Sequence, residues 1–178
     1  YYQTYTVDYL QNVAGGPPVV YLNVPSQEMK NVTQKLLEDG LPVWMGCDVG
    51  KQMHRERGLW DAKLFDFAEL YGTEFGMDKA NRLSYSQTMM THAMLFTGVD
   101  VVDGVPRRWR VENSWGAKKS GEEGFYTMND SWYDEHMFEI AAPTDYLTEK
   151  MKKGLSTTPV VLPAWDPMGS LAKDEAAL

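Results

Sequence analysis

Three residues of this chain, His92, Asn113 and Trp115, have the types and the spacing to do covalent chemistry together. An imidazole that passes a proton to and from a nucleophile needs one ring nitrogen toward that nucleophile and the other held by an acceptor. A carboxamide oxygen is such an acceptor. An indole beside the imidazole–carboxamide hydrogen bond keeps water from competing for it. Taken alone, His92 reads as an ordinary core histidine, so the case depends on whether the fold brings the three together.

The elements that must do so are two strands. Met90, His92, Met94 and Phe96 alternate with Thr91, Ala93, Leu95 and Thr97 in a segment that starts at Thr88. From Arg107 to Ser114, Arg108, Arg110 and Glu112 alternate with Trp109, Val111 and Asn113. Both have the period of a strand, and Asp103-Gly104 between them is a hairpin dipeptide. With these two as the central turn residues, His92 faces Trp115 and Asn113 is its diagonal neighbour on the same face. Pro106 cannot donate to the ladder, and a one-residue slip would send His92 and Asn113 to opposite faces. The register stays open at this level.

Elsewhere, Gly15-Gly16-Pro17-Pro18 is a turn and Val19 to Val24 reads as a strand. Ser26 is the expected cap of a helix from Gln27 to Asp39 with Met29, Val32, Leu36 and Leu37 on one face, stopped by Gly40. A short buried strand, Val43 to Cys47, follows Pro42. Residues 61–80 read as short helical turns and loops. Gly124 to Met128 is a further strand, and Pro143 to Lys153 a helix ended by Gly154. Pro159, Pro163 and Pro167 make an extended tail that must lie along something to be ordered. These boundaries divide the chain into 1–154 and an arm, 155–178.

The chain has 178 residues, 43% of them hydrophobic, which suits a packed core within one domain's length. One cysteine closes no internal disulfide and supplies no zinc site that needs two thiolates. With 17 Lys and Arg against 25 Asp and Glu, the formal net charge of −8 argues against a phosphate-tracking nucleic-acid binder. No apolar run approaches the roughly 18–20 residues of a membrane span. There is no His-Glu-x-x-His, no Gly-x-x-x-x-Gly-Lys and no Gly-x-Gly-x-x-Gly, so neither a metal nor a nucleotide cofactor is expected. His54 and His136 read as surface or structural residues. Arg108 and Arg110 read as a solvated strand face, Met89, Met90 and Met94 as core filler, and Lys150, Lys152 and Lys153 as complements to a helix end. Asn31-Val32-Thr33 and Asn129-Asp130-Ser131 are sequons of a kind common by chance.

Thr91-His92-Ala93-Met94, then Glu112-Asn113-Ser114-Trp115-Gly116 and Gly124-Phe125-Tyr126, resemble the His and Asn segments of papain-like cysteine peptidases. Residues 42–51, Trp109 to Asn113 and Leu162 to Gly169 resemble the bleomycin hydrolase family specifically, and the resemblance runs from Val19 to about Lys173. It implies a papain-like α+β fold, of which this chain is the β-rich part plus a C-terminal arm. It also implies His92 as catalytic base and imidazolium partner, Asn113 as the residue that orients it, and Trp115 as its shield. The implied activity is that of a cytoplasmic, homohexameric aminopeptidase acting on peptides and related amides, with no cofactor and an arm that limits how far substrate extends. Leu171-Ala172-Lys173 matches where family members end, and Asp174 to Leu178 continue beyond.

The same family needs a thiolate at a helix start, preceded by a Gln, ahead of the His in chain order. Cys47 does not match: it ends a strand, Asp48 beside it disfavours a thiolate, and the Cys-Gly-Ser/Ala-Cys-Trp/Tyr signature is missing. Cys47 is expected to be buried and structural, and the nucleophile to lie ahead of Tyr1. Two other classes remain open: an inactive binding or structural protein on the same fold, and a nucleic-acid-associated role that the charge disfavours.

Overall fold

The computed structural model describes residues 1–11, 13–118 and 121–169. In chain order its elements are β1 (Gln3–Val7), β2 (Tyr21–Asn23), α1 (Ser26–Glu38), β3 (Val43–Cys47), β4 (Met53–His54), β5 (Leu59–Trp60), α2 (Phe67–Tyr71), α3 (Lys79–Ser84), β6 (His92–Val102), β7 (Val105–Glu112), β8 (Phe125–Asn129), α4 (Asp130–His136) and β9 (Met137–Ile140). A 3-10 turn (Thr144–Tyr146), α5 (Glu149–Leu155) and β10 (Val160–Leu162) complete the series. The strands form one sheet ordered β4-β5-β8-β7-β6-β3-β9 and a smaller one ordered β10-β1-β2.

The register question resolves in two steps along the β6–β7 hairpin. Asp103 and Gly104 both have positive φ, 52° and 76°, as a two-residue type I′ turn requires. Val102 faces Val105 and Val101 faces Pro106, but Asp100 faces Arg108, which leaves Arg107 as an extra residue on β7. Farther on, Gly98 faces Arg110 whereas Phe96 faces Val111, which leaves Thr97 extra on β6. Each bulge reverses which alternate residues point inward. Pro106 is buried before the first bulge and Trp109 and Val111 after it; on β6, Val99 touches the core on one side of Thr97, and Phe96 and Met94 on the other. The two slips cancel, and Leu95 meets Glu112 in the register that the turn alone dictates.

The core is aromatic. Trp60, Trp109, Trp132, Tyr126, Tyr133 and Phe96 are all buried, and Phe96, Trp109 and Tyr133 form a mutually packed cluster with centroids 5.0–5.6 Å apart. Helix α1 lays Met29, Val32 and Leu36 on it, with Leu37 half-buried. The same face buries two polar residues that an apolar stripe does not reveal. Lys30 reaches Asp130 at 2.6 Å and Asp134 at 2.8 Å, and Thr33 Oγ1 lies 3.1 Å from the Tyr133 hydroxyl. Neither sequon is an open triplet, since Thr33 is fully buried and the Asn129 amide donates to Asp61.

Several boundaries differ from expectation. Helix α1 starts at Ser26, with Pro25 in the cap position and no side-chain cap. The strand expected over Val19 to Val24 is reduced to β2, and the Thr88 strand begins only at His92. Among the short elements that sequence periodicity missed are β1, β4, β5, β9 and α4, the last burying Trp132, Tyr133 and His136 within two turns. The helix expected over Pro143 to Lys153 is interrupted, because Leu147 is extended and Thr148 caps a new start by accepting from Met151 N. Gly154 does not end it. It lies inside α5, and a Cβ there would sit 2.9 Å from the Tyr2 carbonyl oxygen and 2.9 Å from Leu22 Cδ1. Gly154→Ala is therefore expected to destabilise the protein by about 1–3 kcal/mol, as overpacking does, against the roughly 1 kcal/mol that Ala gains over Gly in a free helix. Urea unfolding checks the sign.

The proline-rich tail does lie along something. β10 pairs in parallel with β1, Tyr5 facing Val160 and Val7 facing Leu162. Beyond it, successive turns at Pro163 and Asp166 bring Gly169 against the Val7 side chain, and the Pro167 carbonyl accepts from Met90 N at 3.4 Å. Leu171-Ala172-Lys173 and Asp174 to Leu178 lie outside the described residues.

Candidate active site

His92 opens β6, and the loop leading to it is held on both sides. Thr91 N and Thr91 Oγ1 donate to the Cys47 carbonyl, Val49 N donates to Thr91 Oγ1, and Thr88 Oγ1 donates to Asp48 at 2.6 Å in a buried setting. Asn113 lies one residue past the end of β7. Its N–H donates to the Gly124 carbonyl, which extends the pairing with β8 far enough to keep the side chain facing inward at 8% exposure.

The imidazole and the carboxamide meet: His92 Nε2 is 3.0 Å from Asn113 Oδ1. Oδ1 also accepts from the Ser114 backbone N–H at 2.8 Å. That second bond fixes the amide, since the reversed rotamer would set its NH₂ group against another donor. With an oxygen facing it, Nε2 carries the proton of the neutral ring and Nδ1 carries the lone pair. Among the described residues no hydrogen bond involves Nδ1, so this nitrogen is the one open to a reacting group. Asn113 Nδ2 is buried without a partner among the described residues, a loss of about 1–3 kcal/mol that is characteristic of functional sites.

Trp115 completes the cluster. Its ring centroid lies 5.1 Å from that of His92 at an interplanar angle of 30°, and Tyr126 meets it edge-on at 6.1 Å. The indole meets the imidazole although Trp115 lies in a turn past the last β6–β7 pair, Leu95–Glu112.

Cys47 is closer to this cluster than the sequence reading implied, because it pairs directly across β3–β6 with His92. Its surroundings nevertheless disfavour a thiolate. It is fully buried, its Sγ donates to the His92 backbone carbonyl at 3.7 Å, and burial, reinforced by the Asp48 charge, pushes the thiol well above its ordinary range. The other two histidines lie apart. His54 Nδ1 accepts from Arg57 N at 3.4 Å, and His136 is buried against Trp132. Among the described residues no group of three or more His, Cys, Asp or Glu side chains is placed to hold a metal ion, and no helix is long and apolar enough to cross a membrane.

The profile of the Peptidase C1-like family matches residues 1–169. Aminopeptidase C of Listeria innocua is 43% identical over 170 residues, which is 96% of this chain and 38% of that protein. Bleomycin hydrolase of Homo sapiens is 41% identical over 177 residues, 97% of this chain and 39% of that protein. The crystal structure of PepW from Lactobacillus rhamnosis superposes with a TM-score of 0.92 at 42% identity, covering 97% of this chain and 39% of that one. The chain thus spans 38–39% of the length of these relatives. With this match over nearly its whole length and a mixed α+β architecture of papain type, the chain belongs to the Peptidase C1-like family, alongside the bleomycin hydrolases and aminopeptidases C.

Proposed function

We propose that this chain carries the proton-transfer half of a cysteine-type aminopeptidase that hydrolyses peptide and related amide bonds, with His92 and Asn113 as the base and its orienting residue and Trp115 as the shield. The observation behind this is the imidazole's asymmetry: Nε2 is held by an amide oxygen that a backbone N–H has fixed, and Nδ1 is open. The nucleophilic thiolate comes from residues ahead of Tyr1, since the one thiol here is buried, protonated and turned to a carbonyl.

The reaction follows from these roles. The thiolate attacks the substrate carbonyl carbon and forms a C–S bond. His92 Nδ1, which has taken the thiol's proton to generate that thiolate, gives it to the leaving amine as the C–N bond breaks. Water then attacks the thioester, Nδ1 takes its proton, and the thiolate departs to leave the free acid. Throughout, Asn113 Oδ1 holds Nε2–H, so that the ring charges and discharges without turning. The scheme calls for no metal or organic cofactor.

Residues 1–154 belong to the catalytic domain in this reading, and 155–178 are the arm that limits substrate length. The Pro167–Met90 bond, two residues from His92, supports that placement. The resemblance to the bleomycin hydrolases supports a cytoplasmic homohexamer. The test of the nucleophile assignment is Cys47→Ser in the complete protein. Aminopeptidase turnover is expected to persist with only a loss of stability; a folded variant without activity would make Cys47 the nucleophile.

A further inference from the structure

A second residue touches the shield from a part of the chain that sequence spacing does not connect to it. The Arg55 guanidinium carbon lies 4.9 Å from the centroid of the Trp115 ring, which itself lies 5.1 Å from the His92 ring. Arg55 is in the turn between β4 and β5, far from His92 in sequence, and its side chain is exposed.

Its backbone is fixed independently. The Arg55 carbonyl accepts from Gly58 N and from Gly121 N, both at 3.2 Å. Gly121 belongs to the loop that leaves Trp115. Gly58 and Gly121 are packed so closely that a Cβ on Gly58 would lie 2.6 Å from Gly121 Cα, and both need positive φ. On the other side Thr127 N donates to the Gly58 carbonyl at 2.8 Å, and β5 pairs in parallel with β8. The β4–β5 turn is thereby docked on the same strand that carries Tyr126, the edge partner of Trp115. One residue thus holds the segment after Trp115 through its carbonyl and the indole through its guanidinium.

We infer that Arg55 is a positioning residue for the His92–Asn113 pair, acting through Trp115. A guanidinium over an indole face is attracted by the ring quadrupole and, being planar, covers it without ordering water there. An indole so held stays over the imidazole and keeps solvent from the Nε2–H···Oδ1 bond. Without the clamp Trp115 swings more freely, the bond is wetted, and the imidazole spends less time in the orientation that presents Nδ1. Arg55 touches no reacting atom, so the effect falls on turnover and not on substrate binding.

The inference rests on the aminopeptidase reading for its kinetic consequence, but not for its structural one. The test uses the complete protein with Arg55→Leu and Arg55→Lys, neither of which alters the backbone bonds. With an aminoacyl amide as substrate, Arg55→Leu is expected to lower kcat by about two- to five-fold, the worth of one exposed cation–π contact, with KM unchanged. Arg55→Lys is expected to recover part of the loss. Proton NMR of the imidazole Nε2–H gives a readout that needs no activity: its exchange with water is expected to quicken in Arg55→Leu and to return toward the parent rate in Arg55→Lys. Unchanged exchange in Arg55→Leu overturns the inference, as does a KM effect with kcat intact. Quickened exchange in a protein without peptidase activity sustains the clamp and sinks the aminopeptidase reading instead.

Discussion

Replacing His92 with Ala is expected to lower aminopeptidase turnover of the complete protein by about 10³–10⁴-fold while leaving the fold and substrate binding intact. The argument starts from the ring's two nitrogens. Nε2 is tied to Asn113 Oδ1 at 3.0 Å, so that the proton handled in the reaction must move at Nδ1, and no other described histidine lies in this cluster to replace it. Ala removes the acid that protonates the leaving amine and the base that activates water, and both steps suffer. The half-buried ring makes no core contact of the kind Trp109 or Phe96 makes, so stability should change little. Asn113→Ala is the graded companion. It leaves the imidazole in place but unheld, and misorientation alone is worth about 10²-fold. Steady-state kinetics on both variants, with urea unfolding as control, checks the order. A His92→Ala enzyme within ten-fold of the parent would place the proton transfer elsewhere.

The hairpin that builds this pair was legible because its signals are local. Asp103-Gly104 specifies the turn, the alternation of Met94 and Phe96 and of Trp109 and Val111 specifies the faces, and together they bring the start of β6 and the end of β7 side by side, where His92 meets Asn113. The outcome is correct although the path is not the straight ladder assumed. Arg107 and Thr97 each slip the register by one, and no local pattern marks a bulge that a second bulge undoes. Had only one occurred, His92 and Asn113 would have parted.

What was not legible depends on contacts between segments distant in sequence. Gly154 read as a helix stop, because glycine most often serves there, yet here it lets α5 approach the Tyr2 backbone. Lys30 and Thr33 lie outside the apolar stripe expected for α1, but Asp130, Asp134 and Tyr133 come to meet them from α4, an element too short to show its own period. The same is true of Arg55, whose approach to Trp115 follows from the parallel pairing of β5 with β8. Cys47 is buried, as its strand and its acidic neighbour led one to expect; its position directly opposite His92 became visible only once β3 and β6 were paired.

Below about pH 6.5 the protein is expected to lose stability more steeply than its carboxylates alone require, and His136 is the reason. The imidazole is buried at 9% exposure against Trp132, at 5.0 Å between centroids, and its Nδ1 has no partner among the described residues. Burial first, then the positive charges of Arg82, Lys79 and Lys51, lower its pKa from 6.5 to about 3. Between those two values the unfolded chain binds a proton that the folded chain refuses. Each pH unit downward through that window then removes up to about 1.4 kcal/mol, or roughly 3 kcal/mol by pH 4, against a total stability of about 5–15 kcal/mol for a typical domain. Above pH 6.5 both states hold the ring neutral and the contribution is flat. Lys79, itself lowered by burial to about 8, titrates on the alkaline side and does not enter this window. The measurement is urea unfolding at a series of pH values for the parent and for His136→Phe, which keeps a ring against Trp132 and cannot charge. Carboxylates such as Glu135, paired with Arg82, act alike in both proteins, so the difference in slope between pH 6.5 and 4.5 isolates the imidazole. A parent curve that stays steeper across that range, converging with the variant only in its flat region above, is the expected result; parallel curves would mean that His136 accepts its proton in the folded state and that the end of α4, which carries it, opens to water.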